Sequence, residues 1–229
     1  MSSMTDSQRA PRGDHEIEHG ELLARHDPEA AWGWDTPAGR LRAKRRTSLI
    51  LDGAQVRPGM RVLEVGCGTD NFTEMFAKRG VEILAVDISP ALLERARARG
   101  LPSERVQFEC KRFEECEQDG PFDAAIGSSI LHHLDIEPAL NNIRRMLKPD
   151  GFLSFAEPNM LNPQVFAERK FRFVRRLAPD PRQEGNNVVL GQRTTDGWVA
   201  HGFSRGGHES AQYSRTPPLK RWATRPDRP

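Results

Sequence analysis

Between Arg61 and Ala156, five short apolar runs alternate with helix-like patterns, and this alternation constrains the chain more than any other feature. Residues 61–65 (RVLEV), 82–86 (EILAV), 106–110, 122–127 (FDAAIG) and 152–156 read as buried strands. Residues 71–79 set Phe72, Met75 and Phe76 at helical spacing. Ser89 and Pro90 make an N-cap and first-turn pair for ALLERARARG, which stops at Gly100, and residues 136–147 are amphipathic and end at KPDG. Strand and helix alternating through such short connections imply an α/β, doubly wound, mostly parallel sheet with right-handed crossovers and helices on both faces.

The alternation fills only part of the 229 residues. From 61 to 160, 43 of 100 residues are apolar; from 180 to 229 only 12 of 50 are. The second stretch can bury too little side-chain surface to offset about 1–2 kcal/mol of backbone entropy per residue. A low-order basic tail is therefore expected over 181–229, and the sheet is expected to lack a regular C-terminal antiparallel strand pair. VVL at Val188 and WVA at Trp198 are too short to count as strands. Residues 1–20 are polar and read as a disordered N-terminus. Residues 21–58 read as a helical cap, with a helix over about 38–52 behind a loop carrying Trp32 and Trp34. The core domain spans 59–180, and within it 163–177 sets Phe166, Phe173, Val174 and Leu177 on one helical face.

Several classes drop out. Lys plus Arg is 34 and Asp plus Glu is 32, a net charge of +2, so no global field draws nucleic acid or an anionic membrane. No run approaches the ~18 apolar residues of a membrane-spanning helix. The start of the chain has no apolar stretch suited to a signal peptide. Cys67, Cys110 and Cys116 show neither CxxC spacing nor disulfide density, so a reducing cytoplasm is expected, with no metal site. RLRAKRR, residues 40–46, carries five cations in seven residues. It reads as a solvated helix face; a phosphate clamp for RNA is the competing reading, but aromatic residues for base stacking are missing.

The sharpest local feature is LEVGCGTDNF, residues 63–72. Glu64 falls near the end of the first strand, Gly66 and Gly68 occupy the turn, and a helix follows. Glycines belong where a ligand approaches the backbone too closely for a β-carbon. Asp87 ends the second strand, where a carboxylate accepts from ribose hydroxyls. The dinucleotide fingerprint G-x-G-x-x-G fails at Asn71, and no Walker GK[ST] is present. Glu64 and Asp70 would repel a pyrophosphate. A ligand with a ribose and a cationic amino-acid end fits better, and S-adenosylmethionine has both.

The stretches VLEVGCGTD, AVDIS, FDAAIGSSILHHL and LKPDGFLSFAEPN, in this order, resemble the class I S-adenosylmethionine-dependent methyltransferases of the small-molecule, ubiquinone/menaquinone-biosynthesis type. HDPEAAWGWDTPAGRLRAKRR is similar to the cap that precedes the domain in some of them. The resemblance implies a Rossmann-like sheet with S-adenosyl-L-methionine as cofactor. It places Glu64 near the methionine amino end and the backbone of Gly66, Cys67 and Gly68 under the cofactor. Asp87 would bind the ribose diol and Ile88 would lie on the adenine. Phe113 would stack at the adenine edge or serve as a core aromatic. Gly127 and Ser128 would border the methyl group and the acceptor.

Two departures from the family pattern stand out. Asp70 replaces the third glycine, where it either caps the following helix or repels the cofactor carboxylate. Lys111 or Arg112 stands where many relatives carry an acidic residue for the adenine amino group, so backbone atoms would have to serve. Methyl transfer needs an aligned acceptor and, for a hydroxyl or amine, a proton sink. His132 and His133 are the candidate catalytic bases; in the competing reading one packs on the sheet and the other is solvated. The acceptor is expected to be a small, partly apolar molecule, methylated on O, N or C. It would lie between the Trp32–Trp34 loop, residues 128–133 and residues 157–162. The alternatives are a non-enzymatic or damaged methyltransferase-like protein, suggested by a tail that resembles an out-of-frame reading of a GC-rich gene, and an RNA methyltransferase.

Overall fold

Continuous apolar runs make strands that are buried on both faces, and the computed structural model assembles them accordingly. It describes residues 12–158, 187–193 and 199–202. Strands β1 (Arg61–Val65), β2 (Glu82–Asp87), β3 (Val106–Cys110), β4 (Phe122–Ser128) and β5 (Leu147–Pro158) are parallel in the order β3-β2-β1-β4-β5. The register sets Leu63 opposite Leu84 and Ala125. Alternate residues then face opposite layers. Val62, Ile83, Ala85 and Ile126 pack with Ile50, Leu51, Phe76 and Leu93 on one side. Leu63, Val65, Leu84, Leu153 and Phe155 pack with Phe113, Ile143 and Met146 on the other.

The helices follow the end signals in the sequence. In α5 (Pro90–Ala98), Ser89 caps the first turn by accepting from the Leu92 N–H, and Pro90 fills the first position. In α3 (Pro37–Gly53), Thr36 accepts from the Gly39 N–H at 2.9 Å. Asp27 caps α2 (Pro28–Trp32) by accepting from the N–H groups of Glu29 and Ala30. The helix after the glycine loop, α4 (Thr73–Ala77), is shorter than its apolar spacing suggests, and α6 (Ile136–Met146) leads directly into β5.

Three expectations are corrected. Residues 12–20 are not disordered: α1 (Arg12–Ala24) lies against α5, with Gly20 so close to Ser89 that an added Cβ would overlap its Oγ. Close contact at a glycine leaves no apolar periodicity to read. The sheet does not lack its antiparallel pair: β6 (Asn187–Arg193) runs antiparallel to β5 from Phe152↔Arg193 to Pro158↔Asn187, and β7 (Val199–Gly202) pairs antiparallel with β6. What a count of apolar side chains missed is the open row of N–H and C=O groups along β5, which a seven-residue strand satisfies through its own backbone. Third, RLRAKRR is not a uniformly solvated face. Arg40, Lys44 and Arg45 are exposed, but Arg46 is buried. The expected helix over 163–177 lies outside the described residues. Among the described residues no helix is long and apolar enough to cross a membrane.

Candidate functional site

A cavity of about 790 Å³ opens over the carboxyl ends of β1, β2 and β4, where the strand order reverses. The glycine loop forms its floor. Gly66 and Gly68 have φ of +72° and +55°, and the N–H groups of Gly66 and Cys67 donate to the Val86 carbonyl, which pins the loop to β2. A Cβ on Gly66 would come within 2.7 Å of the Ile130 side chain. Asp87 receives the Gly68 N–H on Oδ2 and the Ser89 N–H on Oδ1, each at 2.9 Å. Burial pushes its carboxyl up, against the pull of the backbone N–H groups of Ser89, Gly68 and Ile88. A carboxylate has about four acceptor positions, so these N–H groups do not use them all.

Farther along, α3 delivers Arg46 into the same cavity at 2 % exposure. Its Nη1 donates to Ser128 Oγ and Ser129 Oγ, both at 2.9 Å, and the guanidinium lies 5.3 Å from the Trp34 ring centre and 5.9 Å from that of Phe72. Ser129 is held at φ +58°, backbone strain of the kind that gathers at functional loops. Two histidines complete this end. His132 Nδ1 is 2.7 Å from Glu157 Oε2, while Glu157 Oε1 accepts from the N–H groups of Ile130 and Leu131. His133 Nδ1 is 2.8 Å from Glu16 Oε1 on α1, and Glu16, His19, Gly20 and Leu23 of that helix roof the cavity.

Below the floor lie the acidic groups. Glu64 is buried at 2 % exposure and does not line the cavity. Desolvation, with smaller contributions from Asp70 and Asp87 and opposed by the Thr73 hydroxyl, raises its carboxyl to about 8. Burial likewise pushes the Cys67 thiol well up, with Asp87, Glu64 and Asp70 adding to it, so the thiol stays protonated and is no nucleophile. Asp70, at φ +68°, neither caps α4 nor faces the cavity. It is fully buried against Arg99, with Asp70 Oδ1 2.5 Å from Arg99 Nε. Desolvation raises it to about 7 even so, the Arg99 charge pulling the other way.

The sequence model of the methyltransferase domain family matches residues 62–151, which span β1 to the first part of β5 and bring every strand of the cavity floor. The ubiquinone biosynthesis O-methyltransferase of Alkalilimnicola ehrlichii is 29% identical over 234 residues, covering 97% of this chain and 81% of that protein. Residues 62–151 of this chain are therefore similar to a methyltransferase domain. The ubiquinone biosynthesis O-methyltransferase of Xanthomonas oryzae is 34% identical over 141 residues, 59% of each protein, so the chain spans about three-fifths of the length of that relative. Among solved structures, the [4+2]-cyclase SpnF is 26% identical with a TM-score of 0.55, covering 65% of this chain and 61% of that one. The N-methyltransferase NodS of Bradyrhizobium japonicum, solved with S-adenosyl-L-homocysteine, shares the fold at 20% identity and a TM-score of 0.57, over 82% of this chain and 97% of that one.

The fold brings Gly66, Cys67, Gly68, Asp87, Ile88, Phe113, Ser128, His132 and His133 together around one cavity. It leaves out Glu64, which lies beneath, and Gly127, where an added Cβ would meet the Phe155 ring and the Val65 carbonyl at 2.8 Å. Sequence reasoning missed Arg46 and Glu16 as residues of the site, whereas Ser129 falls within the expected 128–133 stretch. For Arg46 a signal existed: Gly39, Ala43, Arg46 and Ile50 follow the helical stripe that is buried on α3. For Glu16 none did. Among the described residues no three His, Cys, Asp or Glu side chains gather to hold a metal.

Proposed function

We propose that this chain is an S-adenosylmethionine-dependent methyltransferase acting on an ionisable hydroxyl of a small, partly apolar acceptor, a phenol or quinol of the kind implied by its O-methyltransferase relatives. The residues fit the cofactor. Asp87 keeps acceptor positions for a ribose diol, and Gly68 offers backbone without a Cβ. Thr69 Oγ1 and Asn71 Nδ2 are buried polar atoms without a hydrogen-bond partner beside the cavity, and Arg46 is the cation a carboxylate requires. S-adenosylmethionine supplies a methyl group on a sulfonium, a leaving group good enough that no covalent help is needed.

What remains for the protein is alignment, exclusion of water and a sink for the acceptor's proton. The observation that carries the reading is His132, which lines the same cavity as Asp87 and is paired with Glu157. Glu157 fixes the Nδ1 side of the imidazole, so Nε2 carries the lone pair, and the imidazolium formed by proton uptake sits beside a carboxylate. Trp32 and Trp34 give the acceptor apolar walls.

The test is transfer of a labelled methyl group into a panel of catechols, phenols and quinols, with bulk tRNA as comparison. His132→Ala and Glu157→Gln should each lower kcat by about 10²-fold or more while S-adenosylhomocysteine affinity stays within about threefold. Label in tRNA alone, or in no acceptor while the cofactor binds, overturns the assignment.

A further inference from the structure

Asp70 stands at a left-handed position that favours glycine and is buried, and the reason lies in its partner. Arg99 follows the last turn of α5 and lies outside the cavity. Its Nε is 2.5 Å from Asp70 Oδ1, its Nη2 is 3.3 Å from Glu74 Oε2 on α4, and its Nη1 pairs with Glu29 on α2. One guanidinium thus joins the glycine loop, the helix after it and the short helix that precedes the tryptophan loop. That helix ends in Trp32, whose indole lies over the same loop: a Cβ on Gly68 would be 3.6 Å from Trp32 Cη2. The cap and the glycine loop are therefore joined twice, once by the indole inside the cavity and once by Arg99 behind it.

We propose that Arg99 is a positioning residue that latches the Trp32-bearing cap onto the glycine loop, so that affinity for the cofactor depends on a side chain that never touches it. The inference rests on the cofactor reading above for its binding consequence, and on geometry alone for the latch. A planar fork suits this role because guanidinium donors reach several carboxylates at once, as a lysine ammonium cannot. Isolated surface pairs contribute little, but this network contains a carboxylate with no solvent exposure, and its members constrain one another.

Hydrogen exchange on the full chain without ligand reads the latch directly. The Gly33 and Trp34 N–H groups donate to the carbonyls of Ala30 at 3.0 Å and Glu29 at 2.8 Å, so their exchange reports whether α2 is held. Arg99→Leu and Glu29→Gln should each speed exchange over residues 27–36 by about tenfold and leave β1 and β4 unchanged. Glu29→Gln keeps the Asp70–Arg99 pair, so its result does not depend on tolerance of a buried lone carboxylate. Arg99→Lys should recover only part of the protection. In calorimetry with S-adenosylhomocysteine, both variants should bind about tenfold more weakly, ~1.4 kcal/mol. Unchanged exchange in both variants overturns the latch. Acceleration in Arg99→Leu alone also overturns it, since Arg99 would then act only on the loop. Faster exchange with unaltered affinity overturns the link to the cofactor. A wild-type chain that does not bind S-adenosylhomocysteine refutes the cofactor reading instead, and the exchange data still decide the latch.

Discussion

Replacing Glu64 with glutamine should make the ligand-free protein more resistant to alkaline conditions. The carboxyl sits on β1 between Ala85 of β2 and Ile126 of β4, 2 % exposed, and desolvation above all lifts it from 4.5 to about 8. Between those values the native state holds a proton that the unfolded chain releases, so stability falls as pH rises. The contribution is fully present below about pH 4.5 and is lost as pH climbs through about 8. At about 1.4 kcal/mol per pH unit the span bounds the effect at on the order of 5 kcal/mol. Between about pH 5.5 and about pH 8, a loss of roughly 2–3 kcal/mol is expected in the wild type, since water and dipole relaxation soften the penalty. Asp70, raised to about 7, acts in the same direction and remains in both proteins. Glutamine cannot ionise. Urea midpoints at the two pH values should therefore lie closer together in Glu64→Gln, where only the Asp70 share of the fall remains, the wild type losing on the order of 1 M relative to it at the higher pH. Parallel pH dependence in the two proteins would refute the argument, because it would mean that Glu64 is already ionised in the fold.

Two further substitutions probe the cavity floor. Asp87→Ala should weaken S-adenosylhomocysteine binding by about 1.5–3 kcal/mol in calorimetry, since it removes charge-assisted acceptors from a diol and leaves the Gly68 and Ser89 N–H groups unpaired. An affinity within twofold of wild type would show that the diol is held elsewhere. Gly66→Ala combines a φ of +72° with a contact at 2.7 Å to Ile130, and should lower stability by about 1–3 kcal/mol in urea titration; an unchanged midpoint would contradict the tight turn.

The parallel core was legible because its signals are local. RVLEV and EILAV can only be strands buried on both faces, and the Ser89–Pro90 pair starts α5 where it says it does. The glycine loop and Asp87 were legible for the same reason, being joined by hydrogen bonds one strand apart. The misreadings share a cause in long-range geometry. Arg46 looked like one charge among five, and only the orientation of α3 turns it inward. Asp70 could be weighed only as a cap or a repellent, because Arg99 stands 29 positions away and nothing in either segment announces the other. VVL at Val188 falls inside β6 and the VA of WVA inside β7, so the right residues were noticed and then set aside on a count of apolar side chains.

The hairpin of β6 and β7 has a consequence for how this chain can vary. The stretch with the fewest apolar residues closes the sheet, and peptide groups, which are the same in almost every amino acid, make that closure. Such a pairing is sensitive to chain length and to proline. Over residues 187–193, deletions and shifts of register should therefore be costly because they break the ladder to β5, whereas in β1 the side chains themselves are specified by buried neighbours.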